Sequence, residues 1–207
     1  MNYLQLGLPD IVSALETTAA ETPRRFGALT ADQLNWRPAA DRWSVAQCLE
    51  HLLTANAQLL DSVERATGGE PPTLWQRVPG LPRLFGRLLI TSQAPTGTRK
   101  FVAPAKARPA ASVIAPDVVA RFVAQQDEVA ARARALDGRS ADRLIMVSPF
   151  SSVITYSVLD GFRLIVAHQH RHLQQADAVT REPAFPKSRP AASQPRAVRT
   201  AAEWSTS

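Results

Sequence analysis

The fold class expected for this 207-residue chain is all-α, a helical bundle with one long crossover connection. Three observations lead there. The 16 prolines are unevenly placed, leaving segments 39–70, 117–148 and 150–182 without any. Apolar residues recur in those segments at three-to-four spacing. No alternating strand pattern runs beyond a few residues. Proline costs about 3 kcal/mol inside a helix, so long proline-free stretches between proline-rich ones read as helices joined by linkers.

The first helix runs from about Pro9, tolerated in a first turn, to about residue 21, and Pro23 either restarts or kinks it towards Leu29. The second covers 44–66, with Val45, Leu49, Leu52, Leu59 and Val63 on one face. Ser44 and Gln47 form a capping box at its start, and Gly68-Gly69 ends it. The third, 117–137, opens at Asp117 after Pro116 and places Val118, Phe122, Val129 and Leu136 inward. The fourth, 155–181, carries Val158, Phe162, Ile165, Leu173 and Ala176 as its stripe. Leu144–Val147 and Val153-Ile154 are apolar and partly β-branched, too short to force a sheet, and no internal repeat is present.

Charge divides the chain in the same places. Residues 71–116 hold 8 prolines and 7 Lys+Arg with no Asp or Glu, and 181–207 holds 4 more prolines and nets +3. The whole chain is +6, so the remainder is −4. Within the connection, 81–92 reads as a short amphipathic helix and 94–116 as extended loop. The tail 183–207, rich in Pro, Ser, Ala and Arg, reads as disordered. The organisation expected is one domain over 1–182 followed by that tail.

Composition excludes several classes. At 45% hydrophobic and 20% charged the chain buries a core, which rules out global disorder. A single cysteine excludes an internal disulfide, a zinc ribbon and multi-thiolate clusters. No apolar run is long enough to span a membrane, and no signal peptide is read at the N-terminus, so a reducing cytoplasm is expected. The Lys and Arg residues of 71–116 are scattered among proline and alanine without a nucleic-acid motif, so no specific nucleic-acid partner is expected. The stretch 81–92 could touch an anionic membrane surface, but packing across the bundle as a lid is the simpler role.

All four histidines fall on two helices: His51 on the second, and His168, His170 and His172 on the fourth. Residues four apart on a helix differ by about 40° and share a face, whereas residues two apart nearly oppose. His168 and His172 therefore align with Ile165 and Gln175 beside the buried stripe, and His170 points away. Two imidazoles at i and i+4 with a third from a facing helix can hold a divalent ion and leave positions open for water or substrate. A lone H-x-x-x-H is a weak signal, and three histidines in one helix can also be surface decoration.

The sequence around both sites adds to this. Leu34–Asn56, with Trp36, Pro38, Trp43-Ser44 and His51 seven residues after the serine, resembles the DinB-like (DinB/YfiT) superfamily. So does Val166–Gln175, where His168, His172 and then Gln175 match that family's last-helix motif. The resemblance covers about 8–70 and 117–180. It implies an up-down-down-up four-helix bundle with the long connection after the second helix. It also implies a divalent metal (zinc, nickel or iron) on His51, His168 and His172, and it admits a homodimer. Relatives with assigned reactions are thiol transferases using low-molecular-weight thiols, and isomerases. Neither 71–116 nor the tail carries a family motif, so no substrate is transferred from a relative.

The function expected is thus a metal-dependent enzyme, thiol transferase-like or hydrolase-like, on a small-molecule substrate. The alternative is a non-catalytic, metal-stabilised bundle acting as an interaction or stress-response module. A third reading, nucleic-acid association through the basic segments, is weaker. Gln175 is the expected orienting partner of a ligand histidine. Trp36 and Trp43 read as structural staples, and Cys48 as a small buried hydrophobe rather than a fourth ligand. Glu50 reads as surface; Tyr156 and Arg171 could reach a substrate anion.

Overall fold

The structure, a computed structural model, describes residues 1–70, 73–96, 107–109, 113–136 and 141–187. Most of the expected loop at 94–116 and nearly all of the expected tail lie outside the described residues. Four long helices dominate: α1 (Leu8–Phe26), α3 (Val45–Thr67), α5 (Val118–Arg134) and α6 (Val158–Thr180). They are joined by a five-residue helix α2 (Ala31–Asn35), by α4 (Leu81–Gln93) in the basic connection, and by a hairpin of β1 (Ile145–Ser148) and β2 (Ser151–Ser157). Among the described residues the fold is all-α apart from that hairpin.

Local chemistry sets the boundaries. The Ser44 hydroxyl accepts from Gln47 N–H at 3.1 Å while the Gln47 side chain accepts from Ser44 N–H at 3.1 Å, so the expected capping box starts α3. The same arrangement between Thr30 and Gln33 starts α2, a short helix for which the apolar periodicity gives no separate expectation. α1 differs from expectation by continuing through Pro23 to Phe26. One ladder bond is forfeited at proline, but the added turn buries Phe26 and lets Gly27 N–H close on the Pro23 carbonyl at 2.8 Å.

The hairpin corrects the expectation that no sheet forms, and it moves the start of the last helix from 155 to Val158. Its strands pair antiparallel, with Met146 opposite Tyr156 and Val147 opposite Thr155 around a turn at Pro149-Phe150. A two-stranded hairpin is marginal alone. This one is stabilised by burying Met146 and Tyr156 in the core. It sits so close to α6 that a Cβ at Gly161 would fall 2.8 Å from the Met146 sulfur. Tyr156 is therefore core and is not placed to reach a substrate.

Two apolar clusters fill the bundle. One gathers Ile11, Leu15, Leu59, Val129, Tyr156 and Phe162 beside the hairpin. The other gathers Leu49, Leu52, Val118, Phe122 and Leu173 at the opposite end, with Cys48 among them. Ion pairs Glu50–Arg121 (3.0 Å) and Glu64–Arg132 (3.4 Å) join α3 to α5 near both ends, so these two helices run the same way. Arg25 at the end of α1 pairs with Asp177 near the end of α6. Phe185 packs edge-on against Trp36, with ring centroids 5.5 Å apart, so the chain past α6 is docked at least to that residue.

Candidate metal centre

α3 and α6 face each other, and their shared surface brings His51, His168 and His172 together. One ring nitrogen from each lies within 4.8 Å of the others. The ring centroids form a near-equilateral triangle, at 4.9 Å between His51 and His168 and 4.6 Å for each of the other two pairs. The i, i+4 spacing of His168 and His172 supplies one edge, and the capped start of α3 fixes the depth of His51 opposite them.

The state of His51 follows from its neighbours. Its Nδ1 lies 2.5 Å from the backbone carbonyl of Ala107. A carbonyl only accepts, so Nδ1 carries the proton and donates it, leaving the lone pair on Nε2. That Nε2 is 3.1 Å from Nε2 of His168. Two imidazole nitrogens held tetrahedrally by one ion at 2.0–2.1 Å stand about 3.3 Å apart, so this separation fits a shared ion. Nδ1 of His172 is buried and has no hydrogen-bond partner among the described residues.

Electrostatics keep all three rings neutral. His51 is pulled below the ordinary histidine value by burial, against the opposing effect of its bond to Ala107. His168 is pushed well below by burial, then by His172, His51 and Arg171. His172 falls to about 3 through burial, His51 and Arg171, with Gln175 acting in the opposite sense. At neutral pH the cluster therefore offers three unprotonated ligands with no proton to displace. His51 is 3% exposed, and His168 and His172 are partly buried, with burial the leading cause of all three shifts.

The structure sorts the other candidates. Trp43 lies against the centre: its ring stacks on His172 at 5.6 Å and 24° and tilts over His51 at 4.9 Å. It walls the histidine cluster as well as stapling the start of α3. Gln175 is exposed and reaches His172. Arg171 is near enough to lower both α6 ligands, and its guanidinium donates to the Ser92 carbonyl at 2.7 Å. Cys48 stays outside the cluster; burial pushes its thiol up to about 12, so it is an inert hydrophobe. Glu50 lies off the histidine face, paired with Arg121. His170 points to the other side of α6, where its Nδ1 shares a 2.9 Å hydrogen bond with the Tyr3 hydroxyl.

Sequence reasoning missed the Ala107 carbonyl. It comes from the far end of the basic connection, 56 residues from its partner, and no side chain advertises a backbone acceptor. The cleft of about 870 Å³ on the described surface, between Gln76–Arg83 and Asp142–Arg163, contains none of the histidines.

No curated protein and no solved structure matches the chain. A family model described as the DinB superfamily matches residues 14–176, a span that includes both histidine-bearing helices. The chain belongs to the DinB superfamily.

Proposed function

We propose that residues 1–182 form one domain that works as a divalent-metal-dependent enzyme, thiol transferase-like or hydrolase-like, acting on a small molecule. In this reading His51, His168 and His172 are the metal ligands. The observation that carries it is the convergence of three imidazoles held neutral by burial, one of them oriented by a backbone carbonyl. A bound divalent ion supplies Lewis acidity, lowering the pKa of a water or thiol at an open position. The residues of the chain do the rest. The Ala107 carbonyl holds the proton on Nδ1 of His51 and so aims Nε2 into the centre. Trp43 closes one wall and excludes water from it. Arg171 sets a positive charge beside the site, which favours a substrate with an anionic group.

A set of three histidines, with no fourth ligand grouped with them among the described residues, favours catalysis over a purely structural ion, because structural sites are closed by a full ligand set. The test is elemental analysis of protein purified without an affinity tag, with a thiol-transfer and hydrolysis screen on electrophilic substrates. About one divalent ion per chain, and turnover lost in His168→Ala, is the expected result. No ion, together with unchanged added-metal affinity in His168→Ala, sinks the proposal. Unfolding on chelation without turnover assigns the ion to stability alone.

A further inference from the structure

Five of the eight large apolar side chains most exposed among the described residues fall within fifteen positions: Leu74 (75%), Trp75 (43%), Val78 (37%), Leu84 (53%) and Leu88 (56%). Isolated exposed apolar residues need no explanation, but a cluster does. α4 shows how it arises. Pro82, Gly86 and Ile90 form the face this helix buries against the rest of the fold. At Gly86 the approach is so close that a Cβ would collide with the Asp160 carboxylate. The opposite face carries Leu84 and Leu88 in one row and Arg83 and Arg87 in the next, each pair four apart and so stacked along the helix. Immediately before α4, the turn Trp75–Arg77 is pinned to the hairpin: Gln76 donates to the Ile145 carbonyl at 2.6 Å, and the Trp75 carbonyl accepts from the Thr155 hydroxyl at 3.4 Å. Trp75 and Arg77 in that turn are exposed, and Arg77 shares a cleft with Arg83, Asp142 and Asp160.

Charge decides what this face fits. Arg77, Arg83 and Arg87 make no ion pair among the described residues, and 71–116 contains no carboxylate at all. A second copy meeting this face about a two-fold axis would set the arginine rows against themselves. An anionic lipid surface meets both features at once: leucine and tryptophan enter the headgroup boundary while the guanidinium groups stay at phosphate level. We propose that the outer face of α4 with the preceding turn is a peripheral docking surface for anionic membranes. No helix among the described residues is long and apolar enough to cross one, so attachment here is lateral and reversible.

The test is co-sedimentation of the full chain with vesicles of phosphatidylcholine alone and of phosphatidylcholine with a minority of phosphatidylglycerol. Sedimentation velocity is run in parallel. Binding is expected only to the anionic vesicles and weakens as salt is raised. Each basic residue near such a surface contributes about fivefold, so combined Arg77→Gln, Arg83→Gln and Arg87→Gln lowers partitioning by about two orders of magnitude. Leu84→Ser with Leu88→Ser lowers it by about tenfold or more. Circular dichroism of both variants checks that the fold is retained, and their unchanged basic tail controls for non-specific attraction. Equal binding by wild type and both variants overturns the proposal. So does absence of binding with a dimer that the leucine variant dissociates, which would assign the face to a second copy.

Discussion

The two sides of α6 carry the same residue type and put it to opposite uses. On one side His168 and His172 meet His51, with one ring nitrogen of each within 4.8 Å of the others. On the other, His170 is satisfied by the Tyr3 hydroxyl and packs edge-on against that ring at 5.7 Å. Histidine content alone does not mark a metal centre. What separates the two faces is whether neighbouring side chains consume the ring nitrogens or leave them pointed at one another.

The largest expected effect that sharpens this contrast is acid lability. Each ring of the cluster titrates below the unfolded value of about 6.5. Above that pH both folded and unfolded chains are neutral at these positions. Below it the unfolded chain takes up protons that the fold excludes, so stability falls with pH from about 6.5 towards about 3, where His172 titrates. Between pH 6.5 and pH 5 the loss is at most about 2 kcal/mol for the proton that His172 excludes, and His51 and His168 add to it in the same direction. Urea unfolding of metal-free protein at pH 7.5, 6 and 5 measures it. A flat profile breaks the claim that the rings are buried neutral.

Next in size is ligand removal. His168→Ala is expected to weaken divalent-ion affinity by about two orders of magnitude, taking a structural-type binding energy spread over its ligands. His170→Ala, on the opposite face, leaves that affinity within about twofold. Competition titration with a chromogenic chelator reads both, and equal effects would erase the distinction between the faces. Smaller again is Gln175→Ala, expected to cost about tenfold in metal affinity, the low end for an orienting partner because this side chain is exposed. The smallest is Tyr3→Phe, which removes the hydroxyl that satisfies His170 and costs about 1 kcal/mol of stability without touching metal affinity. Thermal melts with and without added ion separate the two outcomes.

What could be read in the sequence follows from the range of the interactions involved. The four long helices are local features, visible in the period of their apolar residues and in the Ser44/Gln47 box. The histidine triangle is nearly local: two corners share one helix face, and the third lies in a motif that already marks the facing helix. The hairpin was illegible because its energy comes from Met146 and Tyr156 meeting α6 across the glycine at 161, a contact no four-residue window contains. The run of α1 through Pro23 was illegible for a similar reason, since burial of Phe26 outweighs one lost backbone bond. The role of Trp43 as a wall of the cluster is invisible locally, since its stacking on His172 joins residues 129 positions apart.

The tie from His51 to Ala107 gives the long basic connection an unusual tolerance. The acceptor is a main-chain oxygen, and the alanine methyl is packed inside. Position 107 can therefore exchange among small residues without altering the bond, while inserting or deleting a residue beside it would swing the carbonyl away and release the ring. The demand on this stretch is one of register rather than of identity. A scan of point substitutions would pass over it, and a scan of single-residue insertions would find it.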